Sequence, residues 1–154
     1  MLKKALLLIA FMLPACFAQA HQYTAGPLLI THPWSMALPP NAPAIAAYFT
    51  IENQGDAADR LLSVDSSIAG QAQLHEHIHA NGLMKMQQVQ TVEVAPKAKV
   101  NFAPMAYHVM LLDLNDRSKL VEGQRFPVTL HFEKAGDVEI QVEVQKQAPE
   151  AHQH

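Results

Sequence analysis

Gln73-Leu-His-Glu-His-Ile-His-Ala-Asn-Gly-Leu-Met-Lys-Met-Gln-Gln-Val89 admits two opposite readings. His75-Glu76-His77-Ile78-His79 matches H-E-x-x-H, the zinc peptidase pattern in which two histidines one helical turn apart bind zinc and the glutamate activates water. That mechanism requires a helix. Asn81-Gly82 follows at once, the strongest short-range hairpin signal, and the flanks alternate in polarity rather than repeating every 3.6 residues. The stretch therefore reads as a β-hairpin. With Asn81-Gly82 as a two-residue turn, Ala80 pairs with Leu83, His79 with Met84 and His77 with Met86, while His75 lies diagonally from Met86. His75, His77, His79, Met84 and Met86 then project from one face, and Leu74, Ile78 and Lys85 from the other.

Outward from this hairpin the chain continues as short β segments at close spacing. Expected strands are 28–31, 45–52, 60–64, 73–79, 83–92, 99–102, 107–114, 127–133 and 138–144. Ile45, Ala47, Phe49 and Ile51 alternate with Ala46, Tyr48, Thr50 and Glu52, as Val138, Ile140, Val142 and Val144 do with Glu139, Gln141 and Glu143. Such alternation marks half-buried strands. Ala135-Gly136 turns the last pair into a hairpin, and Pro39-Pro40-Asn41 breaks the chain before Ile45. No window carries a helical stripe. The expected fold class is all-β, an antiparallel sandwich or Greek-key barrel.

A second group of donors repeats the chemistry of the hairpin. His108 and Met110 sit two apart in the apolar run Tyr107-His-Val-Met-Leu-Leu112, so one face of a strand carries both. A lone methionine is usually packing material. Here His75, Met86, His108 and Met110 form the series H-x10-M-x21-H-x-M, two imidazoles and two thioethers without a charge. Thioethers lose no proton on binding and favour a polarizable ion, so this set suits Cu(I). Zinc sites draw on Cys, His and carboxylate, and calcium or magnesium on oxygen.

Lys3 and Lys4, the apolar stretch 5–13 and Ala18-Gln19-Ala20 read as a secretory signal peptide cleaved after residue 20, too short to be a permanent membrane span. Leu13-Pro14-Ala15-Cys16 offers a second reading, a lipidated cysteine. Cys16 is the only cysteine, so cleavage after Ala20 leaves no thiolate for metal binding. Histidine and methionine ligands persist in an oxidising compartment where thiolates pair. The chain beyond residue 20 keeps 9 basic and 14 acidic side chains, a balance that points away from nucleic acid or an anionic membrane. Residues 21–146 are one domain's worth, and Gln147 to His154 reads as a flexible tail ending in His152 and His154.

The chain resembles the periplasmic copper chaperone family called PCu(A)C. The likeness runs through His32-Pro33-Trp34, Ile51-Glu52-Asn53-Gln54-Gly55, Asp59-Arg60-Leu61, Leu74-His75-Glu76, Met84-Lys85-Met86, Tyr107-His108-Val109-Met110-Leu111 and Leu130-His131-Phe132-Glu133-Lys134-Ala135-Gly136. The resemblance implies a cupredoxin-like Greek-key β-barrel with His75, Met86, His108 and Met110 as Cu(I) ligands. It also implies periplasmic delivery of copper to the binuclear centre of cytochrome c oxidase, to a thiol-containing assembly factor or to a related acceptor. Family members usually carry methionine where this chain has His77. Copper is thus the expected cargo, and no enzymatic activity is expected.

Several histidines stand outside this set. His77, His79 and Met84 are secondary candidates on the hairpin. Cleavage would make His21 an N-terminal residue able to chelate Cu(II) through amine and imidazole, as oxidative copper enzymes do, and His152 and His154 could gather Cu(II) too. His131 reads as structural or surface. A copper buffer without a dedicated acceptor is the competing reading of the same residues. An electron-transfer blue-copper protein needs a thiolate that the processed chain lacks.

Overall fold

The computed structural model describes residues 21–149. The leader, Cys16, His152 and His154 lie outside them. Eleven strands follow in order: β1 (Gln22–Ala25), β2 (Leu28–Met36), β3 (Ala44–Asn53), β4 (Asp59–Asp65), β5 (Ala69–Ala80), β6 (Leu83–Val89), β7 (Val92–Val94), β8 (Lys99–Phe102), β9 (Tyr107–Leu114), β10 (Arg125–Phe132) and β11 (Gly136–Gln145). They join laterally as β6-β5-β9-β8-β3-β2-β11-β10-β4-β7, with β1 on β2 and β9 also laddered to β3. The sheet curls so that β4 faces β5 across a cleft lined by Leu62, Val64, Leu74 and Val89.

Alternation builds the core. Ile45, Ala47, Phe49 and Ile51 of β3, Val109 and Leu111 of β9, Phe126, Val128 and Leu130 of β10, and Ile140, Val142 and Val144 of β11 are buried together. Phe49 stacks on Phe102, ring centroids 4.5 Å apart. Each of the larger of these side chains contributes roughly 1.5–3 kcal/mol by leaving water.

Besides the additional strand β1, three features depart from the expected architecture. The pairings are not all antiparallel, because β11 runs parallel to β2 and β8 meets β9 in a short parallel bridge. The expected strand 83–92 is two strands: the chain leaves β5 after Val89, and β7 crosses to pair β4, burying Val92 and Val94. Finally, β2 does not stop at Thr31. His32, at φ 53°, and Pro33 form a bulge between Thr31 and Trp34. An extra residue reverses the inside-outside parity of a strand. Before the bulge Leu28 and Ile30 face inward; after it Ser35 does, opposite Ala47, and Trp34 turns to the outer face beside Tyr48.

Two buried polar residues hold the turns. Asn53 donates to the Ala57 and Val94 carbonyls at 2.8 and 3.1 Å and accepts from the Gly55 N–H at 3.0 Å. Asp59 accepts from the N–H groups of Arg60, Lys134 and Ala135 at 2.7, 2.9 and 2.9 Å, fastening the β10–β11 turn to β4. Asp59→Ala strands those donors in a site only 4% exposed, and a loss of about 3 kcal/mol is expected in denaturant unfolding.

His131 on β10 is clamped between Asp65 of β4, at Nε2, and Asp137 of β11, whose Oδ1 is 2.7 Å from Nδ1. The hydrogen bonds to these carboxylates raise its pKa. A raised folded-state value gives stability that is complete below the ordinary imidazole pKa of about 6.5 and disappears as pH rises through the raised value. His131→Gln should therefore melt below the parent at pH 6 and converge with it by pH 9, measured by thermal unfolding of the metal-free protein.

Candidate metal centre

The hairpin forms with the expected pairing. His77 lies opposite Met86, His79 opposite Met84 and Ala80 opposite Leu83, around Asn81 at φ 51° and Gly82 at φ 74°. A strand, not a helix, carries His75 and His79, so they stand roughly 13 Å apart at about 3.3 Å per residue. The geometry needed by the zinc peptidase pattern is missing.

The inner strand β5 also ladders to β9, and its register sets His75 directly opposite His108. Leu74 and Val109, one residue off on each strand, pair on the core side and are buried. His75 and His108 therefore share the outer face. The ring centroids of His75 and His108 are 5.4 Å apart, and those of His77 and His108 5.3 Å. Met110 follows two residues along β9 on the same face, opposite Gln73 of β5 and Ala46 of β3. The middle row of imidazoles is thus flanked by Met86 on one side and Met110 on the other.

His108 is only 3% exposed although it is not on the core face. Trp34, Tyr48 and His108 continue the row across the sheet, with ring centroids 4.7 Å apart for the first pair and 6.4 Å for the second. The bulge at His32 is what turns Trp34 to this face. Burial lowers the pKa of His108 against the opposing effect of the Ala106 carbonyl, and the neighbouring His75 and His77 lower it further. Burial, then His77, lowers that of His75.

Neighbouring groups fix the tautomers. The Gln73 amide oxygen, 2.8 Å from His75 Nε2, accepts a hydrogen bond from the Nε2–H and leaves Nδ1 as a lone-pair atom, buried without a partner. His108 Nδ1 lies 3.4 Å from the Ala106 carbonyl and Nε2 lies 3.1 Å from Met86 Sδ; with Nδ1 donating to Ala106, Nε2 is the nitrogen free to bind an ion beside that sulfur. Two donors about 2.0 and 2.3 Å from one tetrahedral ion lie roughly 3.5 Å apart, a few tenths more than is seen here. Orienting partners of this kind are half of a metal site. Gln73 and Ala106 escaped the sequence reading, though Gln73, two before His75, carried the same-face signal.

The other candidates separate from this cluster. His79 and Met84 sit nearer the turn, His79 exposed and Met84 39% exposed. His21 is exposed at the head of β1. His131 belongs to its Asp65–Asp137 clamp, as a structural histidine should. Among the described residues no three His, Cys, Asp or Glu side chains form a ready metal cage.

A family model described as LpqE-like matches residues 28–144. The PCuAC domain of PmoF1 is 33% identical and superposes at TM-score 0.69, over 84% of this chain and all of that one. The chain belongs to the LpqE-like, PCuAC family. The copper-bound PCuAC domain of PmoF2 is 29% identical at TM-score 0.70, with 82% of this chain and 99% of that one covered. A Leifsonia xyli subsp. xyli protein named "Putative lipoprotein Lxx21020" is 32% identical over 88 residues, 56% of this chain. The chain spans about half, 52%, of that relative's length. The architecture is thus the cupredoxin-like β-barrel of PCuAC proteins.

The metal-free protein should show the partial desolvation of these imidazoles in solution. In a histidine-resolved NMR titration His75 and His108 are expected to protonate below 6.5 and after an exposed imidazole as pH falls; titration at or above that value would contradict the buried geometry.

Proposed function

We propose that this PCuAC protein is an exported copper carrier that holds Cu(I) through His75, Met86, His108 and Met110. The acceptor proposed is the binuclear copper centre of cytochrome c oxidase or a thiol-bearing assembly factor, the compartment the periplasm, and the protein a carrier rather than an enzyme. The observation that carries the reading is the meeting of His108 Nε2 with Met86 Sδ at 3.1 Å, two neutral soft donors from different strands with His75 Nδ1 unpartnered beside them. A polarizable d10 ion is the species such a set favours.

Two comparisons support it. A PCuAC domain with this fold takes copper, as the bound PmoF2 domain does. The lipoprotein naming of the family and of the Leifsonia relative favours export, whether the leader is removed after Ala20 or Cys16 is lipidated.

The donors also suit hand-over. His108 is buried, but Met86 is 46% exposed, so an acceptor ligand can displace the thioether first while the imidazoles keep the ion. A thiolate acceptor, softer and charged, then holds copper more tightly. A buffering protein would use the same residues without this directed exchange.

Anaerobic Cu(I) titration of the purified protein against a chromophoric chelator should give one tight site. Met86→Ala/Met110→Ala should lose affinity by about 100-fold while keeping its circular dichroism. Equal affinity in the double mutant would remove the thioethers from the site. Copper passing to a dithiol copper-binding domain faster than to an equally strong small chelator separates a carrier from a buffer; equal rates would leave the buffer.

A further inference from the structure

The centre contains one more nitrogen than a His2Met2 set uses. His77 lies two residues from His75 on the same face of β5, opposite Met86. Its ring is as close to His108 as that of His75, 5.3 against 5.4 Å. Its Nδ1, like that of His75, is buried and lacks a hydrogen-bond partner. A buried imidazole nitrogen left without a partner has given up its hydration for nothing visible. Two of them side by side, against a third ring whose Nε2 is also directed outward from its Ala106 anchor, point to an ion that all three can reach.

We propose that His77 gives the site a second donor set, His75 Nδ1, His77 Nδ1 and His108 Nε2, that binds Cu(II). The proposal rests on the copper reading of His75 and His108 and extends it to the other oxidation state. Imidazole nitrogen suits Cu(II), for which thioethers are poor and distant ligands, whereas Cu(I) accepts both. The three rings do not already close into a cage. His77 completes it by turning about its side-chain torsions, with no change in the β5–β9 register. Cu(I) and Cu(II) then share His75 and His108 and differ in the remaining donors: Met86 and Met110 for one, His77 for the other. No electron transfer is part of the assignment, only binding of either ion.

The test uses the purified protein carrying His21→Ala, His79→Ala, His152→Ala and His154→Ala, which removes the other candidate histidines. Copper(II) is added alone and followed by electron paramagnetic resonance and by competition with a weak chelator, and Cu(I) is titrated anaerobically beside it. One Cu(II) per chain with a three-nitrogen signal is expected. His77→Met should lower Cu(II) affinity at least tenfold and simplify the nitrogen pattern while leaving Cu(I) affinity within about threefold; His77→Gln, checked by circular dichroism, should behave alike. Unchanged Cu(II) affinity and spectrum in both variants would overturn the assignment, as would absence of Cu(II) binding in the parent background or equal loss of both ions in the variants. Failure of the parent to bind Cu(I) would count instead against the carrier reading, which the Cu(I) arm reports separately.

Discussion

The register between β5 and β9 is the constraint on which the rest depends. A strand presents alternate residues to opposite faces, so the pairing that buries Leu74 against Val109 also fixes His75 against His108. Slipping β5 by one residue would turn its imidazoles into the core and Leu74 into water. The free energy that rejects this slip comes from apolar burial, a few kcal/mol for each side chain involved. The donors are positioned by residues that never touch a metal.

The outer face is less open than its alternation suggests. Tyr48 and Trp34 extend the row beyond His108, and Trp34 reaches that face only because β2 gains a residue at His32 and Pro33. Burial lowers the pKa of His75 and of His108, which favours their neutral form. Neutral nitrogen is the form that can donate to an ion, so the bulge acts on the chemistry of residues two and three strands away.

Local signals in the sequence were sufficient for the hairpin and for much of the sheet. Asn81-Gly82 fixed the turn and hence the His77–Met86 pairing, and the expected strands 99–102 and 107–114 coincide with β8 and β9 end to end. What escaped had non-local causes. β1 is four residues long and has meaning only as a partner of β2. The break between β6 and β7 is decided by a berth against β4, and the parallel pairings by the path of the sheet. The motif residues Asn53 and Asp59 resembled a family before they had a role; their buried hydrogen bonds to distant backbone show that role to be structural. In the site, ligand types were legible from chemistry, but the tautomer anchors Gln73 and Ala106 required a register to be seen.

Met86 differs from the other proposed donors in where its backbone stands. It lies on β6, the outermost strand of the sheet, laddered only to β5 and exposed along most of its length, whereas His75, His108 and Met110 belong to strands flanked on both sides. Edge hairpins open locally at far less free energy than a whole domain, and hairpins re-form in about 1–10 μs. In the proposed carrier, the time copper stays bound is thus tied to the fraying of two strands. A change in the Asn81-Gly82 turn could shorten that residence without touching a ligand, and a change in the core could weaken the barrel without altering it.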